Sequence, residues 1–310
     1  MRFNLGVSNL AKKPLSHYVP KFSNKYWADD SNFISYFSCE HMGEIKKSRK
    51  GKKQWGRFRG LYSWEVEHNL DRDLESKVAP VYEKLASIKE LDISEKFLWS
   101  QFILSQLVRT PTFLKYERFS EEISGPYSKP DNDRVGCSNC LDLNLIANRD
   151  WLLMMAHDDD YFVRSDNPVL QTGFIEENST CFYYPLTPKL CFVACSMRDG
   201  WNAFENNDNP MMGLMLPKGW AHILNFHLAK CAEQSLIISP KDDNYISDFT
   251  FPKVLGVYPQ PPFPLHTVHD GNLEDAYKSI KYIMSKADQV NYGNWDVHEI
   301  SPRYQNNEIT

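Results

Sequence analysis

Cys181-Phe182-Tyr183-Tyr184-Pro185-Leu186-Thr187-Pro188-Lys189-Leu190-Cys191-Phe192-Val193-Ala194-Cys195 is the stretch on which the fold turns. Cys181 to Leu186 and Leu190 to Cys195 are short apolar runs, and Thr187-Pro188 punctuates them as a turn. Both read as strands. Upstream, Tyr161 to Arg164 and Val169 to Gln171 read the same way, with Asp166-Asn167-Pro168 turning between them. Downstream, Pro217 to Glu233 is a helix with Trp220, Ile223, Leu224, His227, Leu228 and Cys231 on one face. Leu236 to Ser239 is a further strand.

Towards the N-terminus the period changes. Val66, Leu70, Leu74, Val78, Val81, Tyr82, Leu85 and Ile88 recur in steps of three and four, a helix signature. Pro80 should kink that helix or start a second one. Phe97, Leu98, Phe102, Leu104, Leu107 and Val108 make another helix, with Ser94 as N-cap and Pro111 ending it. Leu141 to Met155 reads as a third helix after a polar loop from Ser124 to Gly136. Leu15 to Ala28 reads as a short helix entered through Pro20, and Asn32 to Ser38 as a strand. Helices first and strands after, without βαβ alternation, predict an α+β fold: a helical N-terminal half packed on a small, mainly antiparallel sheet from the second half.

A chain of 310 residues with 42% hydrophobic and 24% charged residues can bury a sizeable core, which excludes disorder of the whole. We expect one compact domain over residues 1–250 with a basic arm at 46–59. Residues 251–310 are then an extension with one helix, Asn272 to Val290, and a loose tail. No run approaches the ~20 apolar residues that span a bilayer, and no apolar run follows Arg2 as in a secretory signal. Seven cysteines without scaffold spacing read as reduced thiols, so the expected compartment is the cytoplasm and no membrane partner is implied.

The net charge of −5 argues against a surface built wholly for nucleic acid. The charge is uneven, however. Lys46, Lys47, Arg49, Lys50, Lys52, Lys53, Arg57 and Arg59 crowd into one stretch with Trp55 and Phe58 between them. With Gly51 and Gly56 it reads as a loop or a long hairpin arm. Such an arm can attract phosphates and stack on bases, and Lys50, Lys52, Lys53, Trp55 and Arg57 are the candidate substrate contacts. A solvated charged loop is the commoner explanation of such a run.

Other residues could carry chemistry. Histidine as a residue type suits proton transfer, which makes His17 a candidate acid or base, although a capping or core histidine is as good an account. Arg109, at the end of an apolar helix, could grip a phosphate; structurally it would pair with an acid, Asp166 being the obvious partner. Asp166 and Asn167 form a natural turn that can also present a carboxylate to a metal or substrate. Glu67, Asp71 and Glu75, four residues apart, share a helix face and could bring Glu67 and Glu75 to the same centre, though solvated acids near a helix start are more usual. Asn225 suits a buried polar contact to the site, while His222 and His227, five apart, do not make a metal pair. Asp158, Asp159 and Asp160 after His157 suit a hydrated loop. Cys137 and Cys140 form a single CxxC in a polar loop, short of the four ligands of a structural zinc. No cofactor is evident; the pattern allows a divalent ion on Asp166, Glu67 and Glu75, and Cys39 and His41 could complete a site with Cys137 and Cys140.

Four segments carry a resemblance: His17-Tyr18-Val19-Pro20-Lys21-Phe22, Gln106-Leu107-Val108-Arg109-Thr110-Pro111, Phe162-Val163-Arg164-Ser165-Asp166-Asn167-Pro168-Val169 and Tyr184-Pro185-Leu186-Thr187-Pro188. In order and spacing the chain resembles the HYVP family of uncharacterised bacterial proteins, over residues 15 to 240. The resemblance implies relatives rather than a reaction, and it implies a setting in bacterial defence or toxin systems. The chain departs from the family in its more charged arm and beyond Pro259. The residues then suggest a phosphate-ester hydrolase, nuclease-like, with His17 moving a proton, Arg109 offsetting charge and carboxylates holding a metal ion. The alternative is a non-catalytic nucleic-acid-binding or regulatory module in which the same residues form a buried His/Arg/Asp polar network.

Overall fold

A computed structural model describes residues 14–39, 45–61, 64–110, 143–172, 180–195, 211–230, 232 and 235–238. The extension at 251–310, the polar loop at 124–136 and the Cys137/Cys140 pair lie outside the described residues.

The stretch from Cys181 to Cys195 forms β8 (Phe182–Thr187) and β9 (Leu190–Cys195), an antiparallel pair with an irregularity between Pro185 and Thr187. They sit inside a five-stranded sheet ordered β10-β5-β9-β8-β7, with β5 at Asp150–Met155, β7 at Leu170–Gln171 and β10 at Met212–Met215. Only β10 on β5 is parallel in this sheet. Side chains alternate across it with the period of two that a pleated strand imposes. Trp151, Leu153, Phe182, Tyr184, Leu186, Phe192 and Ala194 enter one core, while Cys191, Val193 and Cys195 enter the other.

Helices cover the first face. α1 (Trp64–Asn69) runs through a π-helical segment, Leu70–Glu75, into α2 (Ser76–Ala86), and α3 (Ile93–Val108) packs on α2. The π-segment has a reading in the sequence. Val66, Leu70, Leu74 and Val78 repeat every four residues and are all buried. An α-helix of 3.6 residues per turn would rotate such a stripe steadily off the core, whereas i→i+5 winding keeps it facing inwards. Pro80 stays inside α2, and its ring crowds the carbonyl of Ser76, where the widened segment ends. α3 starts at a capping box: Asp92 accepts from the Glu95 N–H and the Glu95 carboxylate from the Asp92 N–H. The cap is therefore Asp92 and not Ser94.

A four-stranded sheet ordered β3-β2-β11-β6 closes the other core through Ile34, Tyr36 and Ile237. Its strands are β2 (Phe33–Cys39), β3 (Ile45–Gly51), β6 (Arg164–Ser165) and β11 (Ser235–Ile237). A two-stranded ladder joins β1 (Leu15–His17) to β4 (Arg57–Arg59). Two more helices, α4 (Asn144–Ala147) and α5 (Trp220–Lys230), complete the described chain, and α5 lies against β6.

The α+β class stands, with three corrections. Leu15 to Ala28 is a strand and a 3₁₀ helix, Lys21–Trp27, not one helix, because Pro20 holds an extended backbone between them. Asp150–Met155 is a central strand instead of the end of a third helix; its apolar run suits equally well a strand with one face buried and the other half-buried. The basic stretch is a strand, a turn and a strand, β3 to β4. Cys181, Cys191 and Cys195 are free thiols, and among the described residues no helix is long and apolar enough to cross a membrane.

Candidate functional site

The HYVP segment is held from two sides. β1 pairs with β4 so that His17 lies opposite Arg57. Val19 N–H donates to the Gly56 carbonyl at 3.1 Å. Gly56 has φ +73°, and a Cβ there would come within 2.5 Å of the Val19 Cβ, so both its conformation and its closeness to Val19 require glycine. Beyond Pro20 the 3₁₀ helix begins, and Ser23 returns its hydroxyl to the Pro20 carbonyl at 2.7 Å.

From the helix layer two carboxylates reach this segment. Eight residues apart, Glu67 and Glu75 would diverge by roughly 80° on a regular α-helix. The π-segment winds fewer degrees per residue and brings them back to a common side. Glu67 Oε1 accepts from the His17 N–H at 3.1 Å and faces Nδ1 at 3.4 Å. Glu75 Oε1 accepts from Arg109 Nη1 at 2.8 Å. Arg109, fully buried, also donates from Nε to the Tyr18 carbonyl at 3.0 Å, next to His17. With its oxygen turned to the guanidinium, the buried Gln106 amide accepts from Arg109 Nε at 2.6 Å and from Nη2. Asp71, between the two glutamates, is exposed.

A second buried arginine adjoins them. Arg164 donates from Nη1 to the Ser23 carbonyl at 3.1 Å, and from Nη2 to Ser23 Oγ at 2.9 Å and Tyr184 Oη at 2.8 Å. Tyr184, bonded to Arg164, feels the charge of both arginines. Burial pushes its phenol up, and the charges of Arg164 and Arg109 pull it back. Tyr82, which donates to the Leu186 carbonyl, is held well above the usual phenol range by burial.

The cluster is not self-sufficient. His17 Nε2, Glu67 Oε2 and Arg164 Nε are buried with no hydrogen-bond partner among the described residues. Nor does Arg164, fully buried, meet a carboxylate there: all its hydrogen-bond partners are neutral oxygens. Buried polar groups are rarely left so, and a buried cation without a counter-charge is costly.

The structure thus brings His17, Arg109, Glu67 and Glu75 together, and it places the other expected residues differently. The acid on Arg109 is Glu75, where the sequence put Asp166. Asp166 Oδ2 accepts from the Ser235 N–H at 3.0 Å, and the Asn167 carbonyl accepts from Ser165 Oγ at 2.5 Å, so this turn secures backbone. Asn225 does the same, accepting from Val163 N–H at 2.8 Å and donating to the Tyr161 carbonyl at 2.6 Å. Trp55, 2% exposed, belongs to the second core and cannot stack on a substrate; the aromatic at the surface is Phe58, 56% exposed. Lys50 and Lys53 are exposed, and Lys52 and Arg57 half-buried. No group of three His, Cys, Asp or Glu is placed to share a metal ion among the described residues. Glu67 is engaged by His17, Glu75 by Arg109 and Asp166 by Ser235, so the expected metal set does not assemble. Sequence reading missed Arg164, Tyr184, Ser23 and Gln106 as site residues, although three of the four recurring segments contain Arg164, Tyr184 and Gln106. Polar side chains amid strongly apolar neighbours were the available signal.

Fold and cluster define an α+β protein with a buried His/Glu and Arg/Glu centre built around the HYVP segment. The chain belongs to the family described as "Protein of unknown function (DUF4238)", whose model matches residues 16–135 and 143–242. Neither the curated proteins nor the solved structures contain a match.

Proposed function

We propose that this chain is a phosphate-ester hydrolase whose centre is His17, Glu67, Arg109 and Arg164. The observation that carries the reading is Arg164: a fully buried guanidinium with neutral partners and an unpartnered Nε suits a bound oxyanion. Facing a carboxylate, the His17 ring keeps its proton on Nδ1, which leaves Nε2 as acceptor. His17 Nε2 then takes a proton from the water as its oxygen bonds to phosphorus and the ester P–O bond breaks; the imidazolium, steadied by Glu67, returns that proton to the leaving alcohol oxygen. Arg164 offsets negative charge on the phosphoryl group, while Arg109, neutralised by Glu75, positions the His17–Tyr18 backbone. The scheme uses no metal ligand set. Family membership brings no reaction with it.

The depth of burial favours the rival reading, a non-catalytic module, since His17, Arg109 and Arg164 are all at most 8% exposed. Hydrolysis of bis(4-nitrophenyl) phosphate and 4-nitrophenyl phosphate separates the two. The hydrolase reading requires turnover by the native chain that falls at least ~100-fold in His17→Asn and Glu67→Gln with the fold retained. No turnover by the native chain, or equal turnover in His17→Asn, leaves the module.

A further inference from the structure

The β8–β9 pair and the residue before it carry three of the seven cysteines, and the strand register sorts them. Phe182 pairs with Ala194 and Tyr183 with Val193, so one step further out Cys181 stands opposite Cys195. Both side chains lie on the sheet face that packs into the second core, with Tyr183 and Val193. Neither is in a disulfide. The Cys181 N–H donates to Thr172 Oγ1 at 2.8 Å, and its carbonyl accepts from the Thr172 N–H at 3.1 Å. Its backbone is thus engaged on the β7 side. Towards β9 the two cysteines form a non-hydrogen-bonded pair, the kind in which facing side chains stand closest. The Cα separation of such a pair, about 4.5 Å, lies within the range that a disulfide spans. Arg149 stands beside them, donating from Nη1 to the Thr180 carbonyl at 2.6 Å and from Nε to the Leu145 carbonyl at 2.8 Å. Burial pulls its guanidinium down, and the charge of Cys181 and Cys195 pulls it back. An arginine beside a thiol favours the thiolate, which is the nucleophile. The Tyr183 hydroxyl is hydrogen-bonded to the Cys181 thiol. Cys181 is half-buried and Cys195 buried, so a small oxidant meets Cys181 first. Cys191 supplies the contrast: it is fully buried, faces Pro185 across the ladder, and burial pushes its thiol up.

We infer that Cys181 and Cys195 are a reversible dithiol, which hydrogen peroxide oxidises to a disulfide across β8 and β9. The Cys181 thiolate attacks one peroxide oxygen. The O–O bond breaks, the hydroxide released takes up the thiol proton as water, and Cys181 is left as a sulfenic acid. The Cys195 sulfur then attacks the Cys181 sulfur; the S–S bond forms as the S–O bond breaks, and the second hydroxide leaves as water with the Cys195 proton. Two thiols and one peroxide give one disulfide and two waters, and a dithiol reductant reverses the change. Metal binding is another use of paired thiols. Asp150 lies opposite Cys195 on β5, yet no group of three ligands is placed to share an ion among the described residues. Cysteines also serve as small apolar filling, as Cys191 does, but that role needs neither a facing thiol nor an arginine.

The test exposes the reduced full chain to hydrogen peroxide, removes the peroxide with catalase, denatures in N-ethylmaleimide and maps the tryptic peptides by mass spectrometry. Cleavage after Lys189 and Arg198 places the two cysteines in separate peptides, so their bond joins residues 165–189 to 190–198 with the loss of two hydrogens. The expected result is that linked pair, with Cys191 alkylated and the link undone by dithiothreitol. Cys195→Ser should leave Cys181 as a sulfenic acid that dimedone captures, and Cys181→Ser should leave Cys195 uncaptured. When peroxide is added in urea, the links should scatter over the seven cysteines, because the pairing belongs to the fold. Full alkylation of Cys181 and Cys195 after peroxide treatment of the folded chain overturns the proposal. A link from Cys181 to Cys191, or to any other cysteine, in equal yield does the same. The decisive map is made on the native sequence, so it stands even where a serine variant fails to fold.

Discussion

Two of the segments that carry the family resemblance, HYVP and Ser165-Asp166-Asn167-Pro168, both sit among buried polar groups, yet their hydrogen bonds differ. Around the second, side chains bind backbone: Asp166 to Ser235 N–H, Asn225 to Val163 and Tyr161, Ser165 to the Asn167 carbonyl. Around the first, bonds to backbone such as Arg109 to the Tyr18 carbonyl are joined by charged side chains that meet one another and neutral hydroxyls, through Glu67–His17, Glu75–Arg109 and Arg164–Tyr184, and three buried atoms remain without partners among the described residues. Side-chain-to-backbone bonds satisfy groups that folding would otherwise strand. Side-chain pairs with atoms to spare are what a ligand completes. A motif in the sequence therefore does not distinguish scaffold from site; the destination of its hydrogen bonds does.

The largest expected effect is on the charged side of that contrast. Glu75→Gln leaves Arg109 buried without its carboxylate and should cost about 3–5 kcal/mol in urea unfolding. Arg109→Met together with Glu75→Leu removes both charges and should recover much of that loss. Full additivity of the two single losses would mean that the pair is not coupled. On the backbone-binding side, Asn225→Leu strands the Val163 N–H and the Tyr161 carbonyl and should cost about 1–3 kcal/mol for each group. Asp166→Asn, which weakens the bonds from the Ser235 N–H and hydroxyl, should cost about 1 kcal/mol and leave any phosphatase activity intact. Loss of activity there without loss of stability would erase the distinction between the segments.

A smaller effect concerns pH. His222 faces Asp160 at 3.2 Å, and Asp160 accepts from the Gly219 N–H before α5. Burial holds the His222 imidazole below the usual histidine range, against the pull of Asp160. The unfolded chain then binds the proton more readily. This contribution to stability is whole above about pH 6.5 and is lost as pH falls towards the folded value. The thermal midpoint should drop over that window, and His222→Gln should flatten the drop.

Much of this architecture is legible in the sequence, and the reasons for the rest are physical. The β8–β9 pair declares itself through apolar runs and Thr187-Pro188, and α3 through its period. β5 does not, because its half-buried face carries Leu152 and Met154 and is as apolar as the buried one, so the run loses alternation and resembles a helix core. β3 and β4 were hidden by charge: an edge strand can carry lysines on both faces. In the site, His17 and Arg109 stand out by type and placement. Arg109's partner does not, since Asp166 and Glu75 are equally good acids until the π-segment decides which of them faces the helix end. Trp55 misled because an aromatic between lysines suggests stacking, whereas the Gly56 turn folds it under Val19.

The central claim, that the HYVP centre is an incomplete site for a phosphoryl group, is tested most directly by the thermal midpoint of the full chain with and without orthovanadate, for the native protein, His17→Asn and Arg164→Gln. A ligand that binds only the folded state raises the midpoint in proportion to its occupancy. The account predicts a rise of several degrees for the native chain, a reduced rise for His17→Asn and none for Arg164→Gln. No rise in the native chain, or the same rise in Arg164→Gln, would contradict it.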